Sequence, residues 1–341
     1  VSSRAKIKDI ALRAGVSPAT VSRALTDSGL VAEPTLSRIR EVAQSLDYRP
    51  NVSARNLRTQ KSMAVLLVVR DVSNPFYLEI FKGVETAARE AGYSVLMGNT
   101  ENHPDRELEY FDMLRDGHAD GMILMNGKLP SSHANDHERV ARLPIVVALE
   151  VIEDCALPHV QIDNVAAAKN AVRHLISLGH KRIAHICGPV PEVMSVRRRE
   201  GYREAMAEAE LDVPDGYEPI GDYTIPSGAA LCRELFSRKN KPTALFVGND
   251  EMAFGAINEL RTLGLDVPKD VSVVGFDDLF LSAFFYPPLT TVSQPRADIG
   301  KRAMGQLLKL MNGEGSVEAL VEMPTTLQIR GSTGPAKISK N

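Results

Sequence analysis

Ser17, Thr20, Ser22 and Arg23 stand in one short stretch, with Pro18 and Ala19 between the first two. On one helix, these residues would combine hydroxyls suited to phosphate oxygens with a guanidinium able to bond guanine O6 and N7 together. Pro18 and Ala19 offer apolar contact of the kind a thymine methyl accepts. This is the chemistry of DNA reading, provided the helix is held so that its N-terminal residues project into the major groove.

The flanking residues predict that support. Ile7, Ile10, Ala11 and Ala14 recur at helical spacing, and Gly15 follows as a stop. Ser17 is placed to cap a second helix that Pro18 opens, with Val21, Ala24 and Leu25 facing inward. A third helix is expected over roughly 34–46, with Leu36, Ile39, Val42, Ala43 and Leu46 as its apolar stripe. Two short helices around a Gly-Val-Ser turn read as helix-turn-helix. The alternative is a small helical bundle with a solvated basic face. Residues 48–58 would form only about two helical turns, which is marginal alone in water. They are expected to order against DNA and a second copy of themselves.

Charge divides the same way. Residues 1–61 carry 11 Lys and Arg against 5 Asp and Glu, while the remainder carries 29 against 38. A basic head on an acidic body fits a phosphate-binding module joined to something else. The 341 residues suffice for two or three domains with a core that needs neither disulfide nor metal. Cys155, Cys187 and Cys232 form an odd set with no CxxC pair, which favours a reducing compartment, the cytoplasm. The basic start is followed by no apolar stretch of signal-peptide type, and no apolar run approaches the ~18 residues of a membrane span.

From Ser62 onward the pattern becomes alternating strand and helix. Candidate strands are 65–69, 94–97, 121–125, 145–149, 160–162, 182–186, 243–247 and 271–275, with helices such as 76–91, 165–178 and 199–209 between them. This reads as doubly wound parallel sheets, whose ligands bind beyond the carboxyl ends of the strands. Those ends carry Asp71, Asn99, Asn126, Glu150, Asp163, Asn249 and Asp277, a set expected to favour a hydroxyl-rich ligand. An enzyme is the main competing class, but no GxSxG, HExxH, P-loop or post-strand GxGxxG occurs. His133 and His137 have the spacing of a helical metal pair but sit in a loop-like stretch without a third ligand, so neither metal nor cofactor is expected. A secreted solute-binding protein would share the body but would need a signal sequence and lack the head.

The ordered motifs resemble the lactose/galactose repressor (LacI/GalR) family over roughly residues 5–333. They include Ile7-Lys8-Asp9-Ile10-Ala11, Ala14-Gly15-Val16-Ser17, Ala19-Thr20-Val21-Ser22-Arg23-Ala24-Leu25, Asn74-Pro75-Phe76-Tyr77, Gly248-Asn249-Asp250, Gly275-Phe276-Asp277-Asp278 and Pro287-Pro288-Leu289-Thr290-Thr291. Stretches around residues 121–130 and 329–333 look most like the cytidine-repressor branch, and those around 215–222 like the ribose-repressor branch. The resemblance implies an all-α helix-turn-helix head with a hinge helix, followed by a periplasmic-binding-protein-like α/β domain of two doubly wound lobes. The implied boundaries are 1–49 for the head, 50–61 for the hinge, 62–333 for the effector and dimerisation domain, and 334–341 for a tail. Within the body, the N-lobe would be about 62–162 with a returning segment near 293–323, and the C-lobe about 163–292 with the tail.

It further implies a dimeric, allosteric repressor on a near-palindromic operator. Asn51, Ala54, Arg55, Leu57 and Arg58 would join the DNA contacts, Leu57 as a minor-groove wedge that kinks a central base step; core packing is the alternative for Leu57. Asp71, Phe76, Tyr77, Arg198, Tyr223, Asn249 and Asp277 would form the effector site. Helix-start packing is the alternative for Phe76 and Tyr77, and a structural turn for Asp277.

Two departures from the family pattern stand out. Lys6 and Ala32 replace the usual capping Thr and Ser, at about 0.5–2 kcal/mol each. Leu149, beside Glu150, replaces a strand-end Asp of sugar-binding relatives, which moves the expected ligand from a hexose toward a nucleoside or pentose. No leucine heptads occur near the C-terminus, so a dimer is expected rather than a coiled-coil tetramer. The remaining alternative is a sugar- or nucleoside-binding protein, or an enzyme, without DNA-binding activity.

Overall fold

The computed structural model describes residues 5–25, 29–49, 56, 61–101, 103–127, 129, 140–152 and 156–337. The chain divides into a unit over 1–61 and a unit over 62–341.

In the smaller unit the three apolar stripes become α1 (Ile7–Ala14), α2 (Pro18–Leu25) and α3 (Glu33–Ser45). They meet in a core of Ile10, Val21 and Ile39, fully buried, with Ala11, Ala14, Ala24 and Ala43 around them. Gly15 ends α1 in the left-handed region at φ 65°, where a Cβ would be costly. Ser17 caps α2, its Oγ accepting the Thr20 N–H at 3.1 Å. Lys6 and Ala32 make no side-chain cap, as their types require. At α1 the Asp9 carboxylate accepts the Lys6 N–H at 2.8 Å, which supplies half of a capping box.

The larger unit holds two sheets. One has the order β10-β5-β4-β3-β1-β2 and all-parallel pairing, built from β1 (Ala64–Val69), β2 (Ser94–Asn99), β3 (Gly121–Leu124), β4 (Ile145–Ala148), β5 (His159–Ile162) and β10 (Leu320–Met323). The other has the order β11-β9-β8-β7-β6, from β6 (Ile183–Ile186), β7 (Ala244–Val247), β8 (Ser272–Asp277), β9 (Thr290–Ser293) and β11 (Thr326–Gln328). Only β11 runs antiparallel to its neighbour among these described strands. The near-continuous apolar runs of β1, β3, β4, β6 and β7 are buried on both faces, as parallel strands under helices must be.

Helices α4 (Phe76–Glu90) and α5 (Pro104–Arg115) cover the first sheet. Helices α6 (Asn164–Ser177), α7 (Val193–Glu208), α8 (Ile225–Ser237) and α9 (Asp250–Thr262) belong to the second. Helix α10 (Arg296–Met311) follows β9 of the second sheet but packs on α4, β3 and β4 of the first. Its Ile299, Ala303, Met304 and Leu307 are fully buried, and each large side chain contributes roughly 1.5–3 kcal/mol. The α4–α10 crossing is close because both helices present glycine. A Cβ on Gly83 would lie 2.0 Å from the Ala297 carbonyl oxygen, and one on Gly300 2.2 Å from that of Ile80.

The described chain therefore passes between the lobes at three places: Asp163 between β5 and α6, residues 294–295 between β9 and α10, and residues 324–325 between β10 and β11.

Candidate functional site

Where the carboxyl ends of the two sheets face each other lies a cavity of about 670 Å³. β1 delivers Arg70 and Asp71, and the start of α4 delivers Phe76 and Tyr77. From the other lobe come Arg198 on α7, Tyr223 before α8, Asn249 at the cap of α9, and Asp277 at the end of β8. All seven residues expected at an effector site, Asp71, Phe76, Tyr77, Arg198, Tyr223, Asn249 and Asp277, line this one cavity.

Their partners define what each can do. Arg198 is buried, with its guanidinium 3.7 Å above the Phe276 ring. Its Nε donates to Asn164 Oδ1 at 2.9 Å and another nitrogen donates to the Gly248 carbonyl at 2.6 Å. The Asp277 carboxylate is 3.9 Å from Arg198 and accepts from Gln294 Nε2 at 2.8 Å. Burial pushes the Asp277 carboxyl up to about 7, against the pull of Arg198. Asn249 is committed on both sides: Oδ1 accepts the Met252 N–H and Nδ2 donates to the Tyr223 carbonyl, each at 3.0 Å. The Tyr223 hydroxyl shares a 2.7 Å hydrogen bond with Ser195. Phe76 and Tyr77 meet edge to face at 5.4 Å and leave a ring surface for a flat or apolar ligand face.

Backbone strain concentrates here as well. Tyr223, Asp277 and Asp278 adopt φ of 71°, 116° and 53°. Such residues cost about 1–3 kcal/mol each and persist where surrounding contacts over-determine them. Asp278 is held by Arg330 at 2.6 Å and its carbonyl by Arg296 at 2.6 Å. The ring of Tyr223 is admitted by Gly188, where a Cβ would lie 2.3 Å from it.

The strand-end set needs correction. Asp71, Asn249 and Asp277 line the cavity, whereas Asn99, Asn126, Glu150 and Asp163 do not and bond to protein groups elsewhere. Asn99 accepts from Val72 N–H at 3.2 Å, Asn126 donates to Glu107, and Asp163 caps α6 through Ala166 N–H at 2.9 Å. Glu150 is buried 3.1 Å from Arg70, and burial pushes it up to about 7 despite that cation. Leu149 sits in the core with φ 67°. What sequence reasoning missed is Arg70 itself, which bridges Glu150 on its own lobe and Glu192 on the other. Its only signal was a charge directly after the apolar β1.

In the head, Ser17, Pro18, Ala19 and Arg23 are exposed, and Thr20 and Ser22 half-buried. Ser17 Oγ and Thr20 Oγ1 lie 2.9 Å apart, so part of their hydrogen-bonding capacity serves the cap. Asn51, Ala54, Arg55, Leu57 and Arg58 lie outside the described residues, as do His133, His137 and Cys155. No group of His, Cys, Asp or Glu arranged to hold a metal ion occurs among the described residues. No described helix is long and apolar enough to cross a membrane.

A helix-turn-helix head joined to two α/β lobes around a polar cavity defines a ligand-responsive, DNA-binding transcriptional regulator. Residues 6–51 match the model of bacterial regulatory proteins of the lacI family, and residues 172–333 match a periplasmic binding protein-like domain. The chain is 38% identical to the HTH-type transcriptional repressor CytR of Escherichia coli K12 over 329 residues, 96% of each chain. It is also 38% identical to catabolite control protein A of Priestia megaterium (96% of this chain, 98% of that one), and 33% identical to the Escherichia coli ribose operon repressor (96% and 99%). Among solved structures, the lac repressor dimer bound to operator and the anti-inducer ONPF superposes with a TM-score of 0.87 at 25% identity, covering 97% of this chain and all of that one. The chain belongs to the lacI family, whose relatives named here are transcriptional regulators.

Proposed function

We propose that this regulator is a cytoplasmic repressor without catalytic activity that binds a near-palindromic operator as a homodimer and answers to a nucleoside or pentose in the interlobe cavity. Residues 1–49 form the DNA-reading head, 50–61 the hinge, 62–333 the effector and dimerisation domain, and 334–341 a tail. Ser17, Pro18, Ala19, Thr20, Ser22 and Arg23 meet the major groove. Asn51, Ala54, Arg55, Leu57 and Arg58 meet the minor groove and its phosphates. An exposed aromatic group in the body, with Phe280 at 83%, Phe284 at 70% and Tyr286 at 81% exposure, supports self-association, since such patches on soluble proteins mark contact surfaces.

The observation that carries the effector assignment is the convergence of seven residues, spread from position 71 to 277, on one cavity. Its size suits a ligand of nucleoside scale, and it offers both ring faces and hydrogen-bonding groups. Ligand binding that favours one lobe arrangement shifts operator affinity by a coupling energy of about 1–3 kcal/mol. A thermal-shift screen of nucleosides, purines and pentoses, followed by titration calorimetry, tests the reading. The expected result is a saturable hit that Arg198→Ala and Asp277→Ala each abolish while operator binding persists. A flat screen, or a hit indifferent to both substitutions, refutes it.

A further inference from the structure

The charge inventory of the cavity is lopsided. Asp71, Glu101, Glu192, Asp222, Glu251 and Asp277 contribute six carboxylates, and Arg70 and Arg198 the two cations. Both guanidiniums already hold partners within the protein. Arg70 is held by Glu150 and Glu192, and Arg198 by Asn164, the Gly248 carbonyl and Asp277. Helix N-termini are the other common anion sites, because their N–H groups and dipoles point outward. Here Glu192 precedes α7, and Asp250 and Glu251 stand in the first turn of α9, whereas the first turn of α8, whose Thr224, Ile225 and Pro226 also line the cavity, carries no acidic residue.

Two of the carboxylates come to the cavity from opposite lobes. Asp71 follows β1 on one lobe, Glu251 belongs to α9 on the other, and both line the cavity. Glu251 is raised above the ordinary carboxylate range, first by burial and then by the charge of Asp71. Beside this repulsive pair runs the attractive cross-lobe pair of Arg70 and Glu192. Charges in a cleft with low-dielectric walls act more strongly than in open solvent. A ligand that brings hydrogen-bond donors or positive charge between Asp71 and Glu251 relieves the repulsion and favours the closed arrangement. A ligand that brings a phosphate or carboxylate adds to it.

We propose that the cavity admits uncharged or cationic ligands and rejects their phosphorylated or carboxylated counterparts, with Asp71 and Glu251 setting that preference from opposite lobes. This rests on the reading of the cavity as the effector site, and it adds a criterion that separates a free nucleoside or pentose from its activated form. The selection is built from repulsion as much as from attraction, a common way to achieve specificity between ligands that share most of their atoms.

The test uses the full chain and has two arms. In the first, calorimetry compares adenosine with AMP, cytidine with CMP, and ribose with ribose 5-phosphate. For a pair that binds, the phosphorylated member should be at least about 30-fold weaker, and the Asp71→Asn/Glu251→Gln double variant should narrow the gap to about fivefold or less. A phosphorylated member that binds as tightly as its parent overturns the proposal, as does a gap unchanged by the double variant. The second arm needs no ligand. The same double variant should melt higher than the parent chain, because the cross-cleft repulsion is gone, and Glu192→Gln should melt lower. Equal or reversed shifts overturn the proposal. Silence of all six compounds beside the expected melting shifts would refute the nucleoside or pentose assignment while supporting the charge selection.

Discussion

Three buried carboxyl groups contribute to how this molecule responds to protons. Burial raises Asp277 and Glu150 to about 7 and Asp250 to about 6, against partners that favour their charged forms. Each therefore holds its proton more tightly in the folded chain than in the unfolded one, so the native state carries the excess protons between about pH 4 and pH 7. Their contribution to stability is greatest at the acidic end of that window and is lost as pH rises through these values, whereas His159, His174, His180 and His185, lowered by burial, contribute in the opposite sense. Between about pH 4.5 and pH 7.5 the melting temperature of Asp277→Asn should therefore gain on that of the parent chain as pH rises. A difference between the two chains that stays constant or shrinks over this range would contradict the assignment. On the DNA side, Arg23→Ala should cost about 1–3 kcal/mol on the cognate operator with little change on random duplex, read by fluorescence anisotropy at fixed salt.

At the scale of elements, capping and helix phase decide how the site is presented. The Ser17 hydroxyl takes the Thr20 N–H and so orders the N-terminal turn of α2, the turn that carries Pro18, Ala19 and Thr20. Ser17→Ala should destabilise the head by about 1 kcal/mol, and Ser17→Asp should recover most of that loss in thermal melts. Helix α7 shows where sequence reading fell short. Expected from Arg199, it begins at Val193, and its buried stripe is Ser195, Arg198, Gly201, Tyr202 and Ala205. The helical spacing is intact, but polar residues occupy its first positions, so an apolar-period argument begins counting too late. The same blindness hid Arg70 and Glu192, far apart in sequence and joined only when the lobes meet. By contrast, β1, β3 and β4 were legible to within a residue or two, because burial on both faces leaves uninterrupted apolar runs, whereas β10 of the same sheet was not among the expected strands. The seven cavity residues were legible through family motifs, whereas the idea that every strand-end polar group would face a ligand failed for Asn99, Asn126, Glu150 and Asp163, whose positions relative to the cavity depend on how the two lobes meet.

For the whole molecule, cavity residues hydrogen-bond to residues at the interlobe connections. Arg198 holds Asn164, directly after the first crossing, and Asp277 holds Gln294, inside the second. A ligand that pulls on either charged group acts on the segments that connect the lobes. Gln294→Ala should leave ligand affinity within a few-fold of the parent while reducing the ligand-dependent change in operator affinity by about tenfold, a loss of roughly 1.4 kcal/mol of coupling. Operator titrations with and without saturating ligand read this directly. An undiminished response would place the coupling elsewhere.

The triple passage of the chain between sheets also bears on how the protein is born. Neither lobe is a contiguous piece of polypeptide: the sheet begun at Ala64 receives its last strand only at Leu320–Met323, and α10, which covers β3 and β4, arrives shortly before. On the ribosome, the aliphatic face that Ile299, Met304 and Leu307 will cover stays bare until almost the entire body has emerged. Domains tend to fold as units during synthesis, and here the first-made lobe must wait for the last-made segment.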